Sequence, residues 1–171
     1  MTLENSLLLN RHLDFYGELG FNVIPVFAPS NGNPKMPALD EWTTYTKRLS
    51  SKSEHALWWK YSDVERNIGV VTGGISGNLL VVDIDDADTY NVLQDSHPRF
   101  KDTLTCKTGK GYHLYYYLDD EISHRTITFQ YNGKTHHLKG EASMVVAPPS
   151  IHPNGNRYEF IEMRTPSYCS F

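Results

Sequence analysis

The chain has 171 residues, with 16 Lys and Arg against 20 Asp and Glu, a formal net charge of −4. At 39% hydrophobic and 21% charged residues it is ordinary globular material, long enough for one domain or two small lobes sharing a core. This excludes a disordered tail and a protein that grips nucleic acid by bulk positive charge, but not a nucleic-acid enzyme whose carboxylates hold metal ions.

Taken in chain order, Leu7, Leu8, His12, Phe15, Tyr16 and Leu19 fall roughly on one helical face, and Gly20 is a natural stop. Phe21–Val26 reads as a short buried strand, ended by the turn-rich Pro29–Pro34. A second helix begins at the Ser50–Ser53 cluster and runs through His55, Leu57, Trp58 and Trp59. Ile68–Gly73 and Asn78–Ile84 are strands joined by Thr72–Gly77, a flexible glycine-rich connection. Asp88–Gln94 reads as a helix. Thr103–Lys107 and Tyr112–Leu118 flank Thr108-Gly109-Lys110-Gly111 as a hairpin. Thr126–Tyr131, Thr135–Lys139 and Met144–Ala147 are further strands, with Asn132-Gly133 the tightest turn signal, and Arg157–Met163 the last strand. Trp42, Trp58 and Trp59 are assigned to packing. No apolar run approaches the ~20 residues of a membrane helix. The N-terminus lacks a basic-then-apolar signal, and the two cysteines, Cys106 and Cys169, lie far apart. The expectation is a cytoplasmic protein without a membrane partner.

Three constellations carry chemistry. In Val82-Asp83-Ile84-Asp85, strand alternation projects Asp83 and Asp85 together while Ile84 enters the core. Two carboxylates so close call for a cation between them, and Mg²⁺ or Mn²⁺ prefer such oxygen ligands. An isolated Asp-x-Asp is more often a solvated strand end; here an apolar strand carries it out of a core. In Thr105–His113, two glycines expose backbone N–H groups beside Lys107, Lys110 and His113, which suits an anionic phosphate, although the run is no Walker loop. In His136-His137-Leu138-Lys139-Gly140-Glu141, adjacent histidines face opposite ways, so one of them alone can join a given site.

In this order, together with Lys35-Met36-Pro37, Asn67–Gly73 and Val146-Ala147-Pro148-Pro149-Ser150, these motifs closely resemble the bifunctional primase–polymerase (prim-pol) domain of the archaeo-eukaryotic primase superfamily. The resemblance spans about Leu13 to about Phe160. It implies an α+β fold, the archaeo-eukaryotic primase catalytic fold, with an αβ N-terminal unit (about 1–80) packed on an RRM-like strand-rich lobe (about 81–171). The whole, 1–171, would be a single catalytic domain excised from a larger replication protein of a plasmid, phage or other mobile element, with a helicase module as a further partner. It makes Asp83 and Asp85 ligands of Mg²⁺ or Mn²⁺, and His113 a contact to the phosphates of the incoming nucleotide. Lys139 takes the basic position near the triphosphate, with Lys107, Lys110 and Ser150 as further nucleotide-binding residues. Where the family's third motif carries a carboxylate, this chain has His137, which leaves His137 and Glu141 as further metal-ligand candidates.

The function implied is template-dependent nucleotidyl transfer from an NTP or dNTP to a primer 3′-hydroxyl on single-stranded DNA template. The departure at His137 supports an alternative, a non-catalytic relative that binds nucleotide or primer-template and assists another polymerase. A third, a metal-dependent phosphoesterase or nuclease, lacks a further Asp/His ligand motif. The acidic total conceals a bias: between Thr103 and Gly140, five Lys and Arg outnumber three acids.

Overall fold

The computed structural model describes residues 2–121 and 123–169. α1 covers Leu3–Leu19, opened by the Thr2 hydroxyl, which accepts the Asn5 N–H, and closed by Gly20 in the left-handed conformation at φ 71°. Its buried residues are Leu9, His12 and Tyr16. Leu7, expected on that face, is exposed, because it stands two positions from Leu9 and so on the far side of the helix.

The remaining elements, in order, are β1 (Asn22–Phe27), α2 (Lys52–His55), β2 (Arg66–Val71), β3 (Leu79–Ile84), α3 (Ala87–Ser96), β4 (Leu104–Lys107), β5 (Tyr112–Leu118), β6 (Thr126–Tyr131), β7 (Lys134–Lys139), β8 (Met144–Ala147), β9 (Glu159–Phe160) and β10 (Ser167–Cys169). Helices and largely antiparallel sheets make this the α+β fold expected from the sequence. α2 is held by a capping box between Ser51 and Glu54. The helix expected to run on through Trp59 widens instead into a π-turn over Ala56–Lys60, which buries Trp59. Trp42–Thr46 is a 3₁₀ turn, fixed by Asn22. That side chain is 1% exposed; its amide donates to the carbonyls of Tyr45 and Arg48, and its oxygen accepts from Ser50.

The strands form two sheets. The smaller has the order β1-β2-β8, the larger β6-β7-β3-β5-β4-β9. β10 runs parallel to Tyr116–Leu118, the stretch of β5 that β4 leaves unpaired after covering Tyr112–Tyr115. The last strand expected from the sequence, Arg157–Met163, shortens to Glu159–Phe160, with Arg157 making an isolated bridge to Ile151. One face of the larger sheet carries Leu79, Val81, Leu104, Cys106, Tyr115 and Tyr117, packed against α1 and the smaller sheet in the principal core. The other carries Val82, Ile84, Leu114 and Tyr116 under Tyr90 and Leu93 of α3.

The chain passes between the sheets after β2, after β7 and after β8, and the first two crossings are bonded to each other. Thr72 Oγ1 donates to Gly140 O at 2.5 Å, Thr72 N to Ser143 O at 3.0 Å, and Gly74 N to the Glu141 carboxylate at 2.8 Å. The Gly73-Gly74 stretch, expected to be flexible, is thus a fixed turn; a Cβ on Gly73 would lie 2.3 Å from Glu141 Oε2.

Candidate active site

β3 delivers Asp83 at the end of the principal core, and the antiparallel register sets it opposite His113 of β5 and His137 of β7. Directly opposed residues share a face, so all three lie on the core side of the larger sheet. His113 Nε2 stands 3.3 Å from Asp83 Oδ1, with side-chain exposures of 8% and 17%. Burial pushes the Asp83 carboxyl up. The charge and hydrogen bond of His113, with Lys139 and His137 behind them, outweigh it and hold the group below its ordinary value, so it is ionised at neutral pH. His137 Nδ1 lies 3.2 Å from Thr128 Oγ1. Lys139, opposite Val81 and Thr126, has no hydrogen bond or ion pair for its ammonium among the described residues.

Asp85 follows the end of β3 and is exposed. Its charge and that of Asp83 both reach Tyr158, whose phenol burial pushes up. The small residue two places before His113 has a steric cause. A Cβ on Gly111 would lie 1.9 Å from Ile84 O and 2.6 Å from Asp86 N, so the hairpin turn crosses directly over the end of β3. Gly109 is equally constrained: a Cβ there would lie 2.2 Å from the ring of His152, and Asn154 Nδ2 donates to Gly109 O at 2.8 Å.

Other residues expected at the site are placed elsewhere. Lys107 alternates with the core-facing Cys106 and so lies on the α3 face, opposite Tyr112 and Glu159. It borders a cavity of about 310 Å³ there, with Lys110 at the turn tip. Lys110 also reaches the other way, since its charge helps hold His152 below its ordinary pKa, behind the larger effect of burial. Ser150 is 4% exposed, and its hydroxyl is committed to β2, accepting Ile68 N–H at 2.8 Å and standing 3.3 Å from Ile68 O. Glu141 follows β7 two residues beyond its end, in the crossing to the smaller sheet, its carboxylate held by Gly74 N–H at 2.8 Å.

Two further residues stand around His113, and the sequence assigned neither a role at the site. Tyr158, 3% exposed, has its ring 6.0 Å from that of His113 and 5.7 Å from that of His152, forming one aromatic wall. Both come from the loop after β8, where no period marks which residues turn inward; the Pro148-Pro149 and Asn154-Gly155 turn signals were the available hint.

Among the described residues no group of three or more His, Cys, Asp or Glu side chains is arranged to hold a metal ion. The donor chemistry nonetheless fits a hard divalent cation. Asp83 is ionised, and Mg²⁺ at nucleotide sites is bound by one or two carboxylates, with water and substrate phosphates completing its shell. Among the described residues, no helix is long and apolar enough to cross a membrane. No match is found among the curated proteins. Residues 13–169 match the family described as bifunctional DNA primase/polymerase, N-terminal, for which dependence on a divalent metal is typical. With an α+β fold of the kind that family has and a match over nearly its whole length, the chain belongs to the Prim-Pol family.

Proposed function

We propose that this domain extends a primer on a DNA template, as the polymerising part of a plasmid or phage replication protein working in the cytoplasm. The observation that carries this reading is the ionised Asp83 set between His113 and His137 on the core face, with Lys139, whose ammonium has no ion pair among the described residues, two residues further along β7. In the reaction, the primer 3′-oxygen attacks the α-phosphorus of an NTP or dNTP. The new P–O bond forms as the bond to pyrophosphate breaks, and the hydroxyl proton passes to solvent. Lys139 and the imidazole of His113 bind and orient the triphosphate, and Tyr158 and Tyr115 keep the His113 ring in place. Asp83 and Asp85 would hold Mg²⁺ or Mn²⁺, which would supply charge neutralisation at the reacting phosphate. The imidazole at position 137, where the resemblance calls for a carboxylate, suits Mn²⁺ better than Mg²⁺.

That same residue favours the second reading, a relative that binds nucleotide or primer-template without polymerising. Primer extension on a primed template, with Mg²⁺ and then Mn²⁺, separates them. Extension that disappears in Asp83→Ala/Asp85→Ala is the expected result. Metal-dependent nucleotide binding without extension establishes the second reading, and a primer shortened in the absence of nucleotide establishes a nuclease.

A further inference from the structure

An open groove of about 680 Å³ lies between the Trp42–Thr46 turn and the end of the β6–β7 pair. Lys47, Arg48 and Arg125 line it together with Thr43, Thr44 and Thr46, and no acidic side chain does. The three cations are not equivalent. Arg48 is committed to Glu54 at 2.6 Å and lies over the Tyr45 ring. Arg125 is fixed in place, its Nε and Nη2 both donating to Ala142 O, which leaves its other N–H groups for a ligand. Lys47 is exposed, and among the described residues its ammonium has no hydrogen bond or ion pair. Positive charge at Lys47 and Arg125, with the hydroxyls of Thr43 and Thr44 beside them, is the chemistry that a phosphodiester backbone selects, whereas Arg48 is neutralised by Glu54 and the Thr46 hydroxyl donates to Thr43 O.

The groove's position relative to Asp83 narrows the ligand further. Gly140 N donates to Arg125 O at 2.6 Å, so Arg125 stands three residues along the strand from His137. That is about 10 Å, the length of three stacked nucleotides at ~3.4 Å each. Between the two, the core side of β6 and β7 presents Thr128, Thr126 and Lys139, all polar and reached by solvent.

We propose that this groove holds the phosphate backbone of single-stranded nucleic acid, as the template strand on its way to or from Asp83. The strand's destination rests on the polymerase reading; the binding does not. The test measures anisotropy of a fluorescein-labelled 20-nucleotide oligo-dT with the whole chain, in EDTA, without nucleotide, over a salt series. Lys47→Glu is expected to weaken binding about five- to tenfold, and to lower the slope of log K against log salt by ~0.7 for each lost phosphate contact. Lys47→Glu/Arg125→Gln lowers both further, while binding of a fluorescent ATP analogue with Mg²⁺ stays unchanged. An unchanged affinity and slope in the double variant overturns the proposal. Loss of ATP-analogue binding with oligonucleotide binding retained overturns it as well, in favour of a mononucleotide site. Should circular dichroism show either variant unfolded, Lys47→Gln is used, and a slope equal to the parent's then counts against the proposal. The assay needs neither metal nor turnover, so a domain that fails to extend primers still gives a readable answer.

Discussion

Gly111 is small because the chain end of β3 lies against it, and the consequence is measurable. Gly111→Ala forces a Cβ into the Ile84 carbonyl, 1.9 Å away, and the strands must part. Overpacking of this kind costs about 1–3 kcal/mol, which in a domain of this size lowers the melting temperature by roughly 2–12 °C. Primer extension is expected to fall too, since His113 follows two residues later. At position 137, His137→Asp sets a carboxylate opposite Asp83. Without metal the like charges repel, so the variant is expected to melt lower than the parent in EDTA and to recover with Mg²⁺; equal melting in both conditions places residue 137 outside the metal's reach. Asp83, His113 and His137 were legible because the ordered motifs resemble the prim-pol domain; the register of β5 and β7 against β3 is what brings the three to one face. The face of Lys107, the last residue of β4, was legible from strand alternation, yet its place beside a glycine-rich turn masked it. Tyr158 and His152 were not legible: a loop without period brings them to the site.

Among the elements, the two halves of the larger sheet are tied to α3 through Asp86. Its carboxylate accepts the Lys134 ammonium at 2.5 Å and both the N–H and hydroxyl of Thr89, and the Lys134 bond foremost pulls its pKa down to about 2. A depressed carboxyl stabilises the fold fully above its unfolded value, near 3.9, and the contribution fades as pH falls toward about 2. Lys134→Met is therefore expected to be less stable than the parent in urea at pH 7, with the gap closing between about pH 4 and pH 2. Ser150→Ala strips the Ile68 N–H of its buried acceptor, costing about 1–3 kcal/mol. It leaves nucleotide affinity unchanged, since the hydroxyl belongs to β2; a loss of affinity in titration without loss of stability returns Ser150 to the nucleotide site. Most strands were legible from their apolar runs and from Asn132-Gly133, whose φ values of 50° and 71° make the expected tight turn. Two kinds of element were not. The Trp42–Thr46 turn depends on Asn22, twenty residues earlier, and β10 depends on a vacant stretch of β5, neither of which a local pattern can register.

At the scale of the molecule, the net charge of −4 says little about where nucleic acid binds. Four acids near the cleft are committed, Glu54 to Arg48, Asp86 to Lys134, Glu141 to a backbone N–H and Asp83 to His113, while Asp85 is exposed and would be neutralised by a bound cation. Lys47 and Lys139 have no such partner among the described residues, so the field that a polyanion meets is locally positive despite the acidic total. What the sequence showed as an ordered series of motifs becomes one face only through the pairing of β3 with both β5 and β7, a long-range arrangement.

The placement of β8 has a consequence for how such a domain can be divided. The smaller sheet draws two strands from the first half of the chain and its third from residues 144–147. A fragment ending at residue 80 would expose the apolar edge of Ile68–Val71, a template for aggregation, while the complementary fragment would carry an orphaned strand. Fragment 1–80 expressed alone is expected to elute as aggregate on size exclusion, and co-expression with 81–171 to restore a soluble pair. The walls of the cleft are thus a single unit of inheritance: recombination between residues 80 and 81 brings together a β2 and a β8 that were never selected for one another.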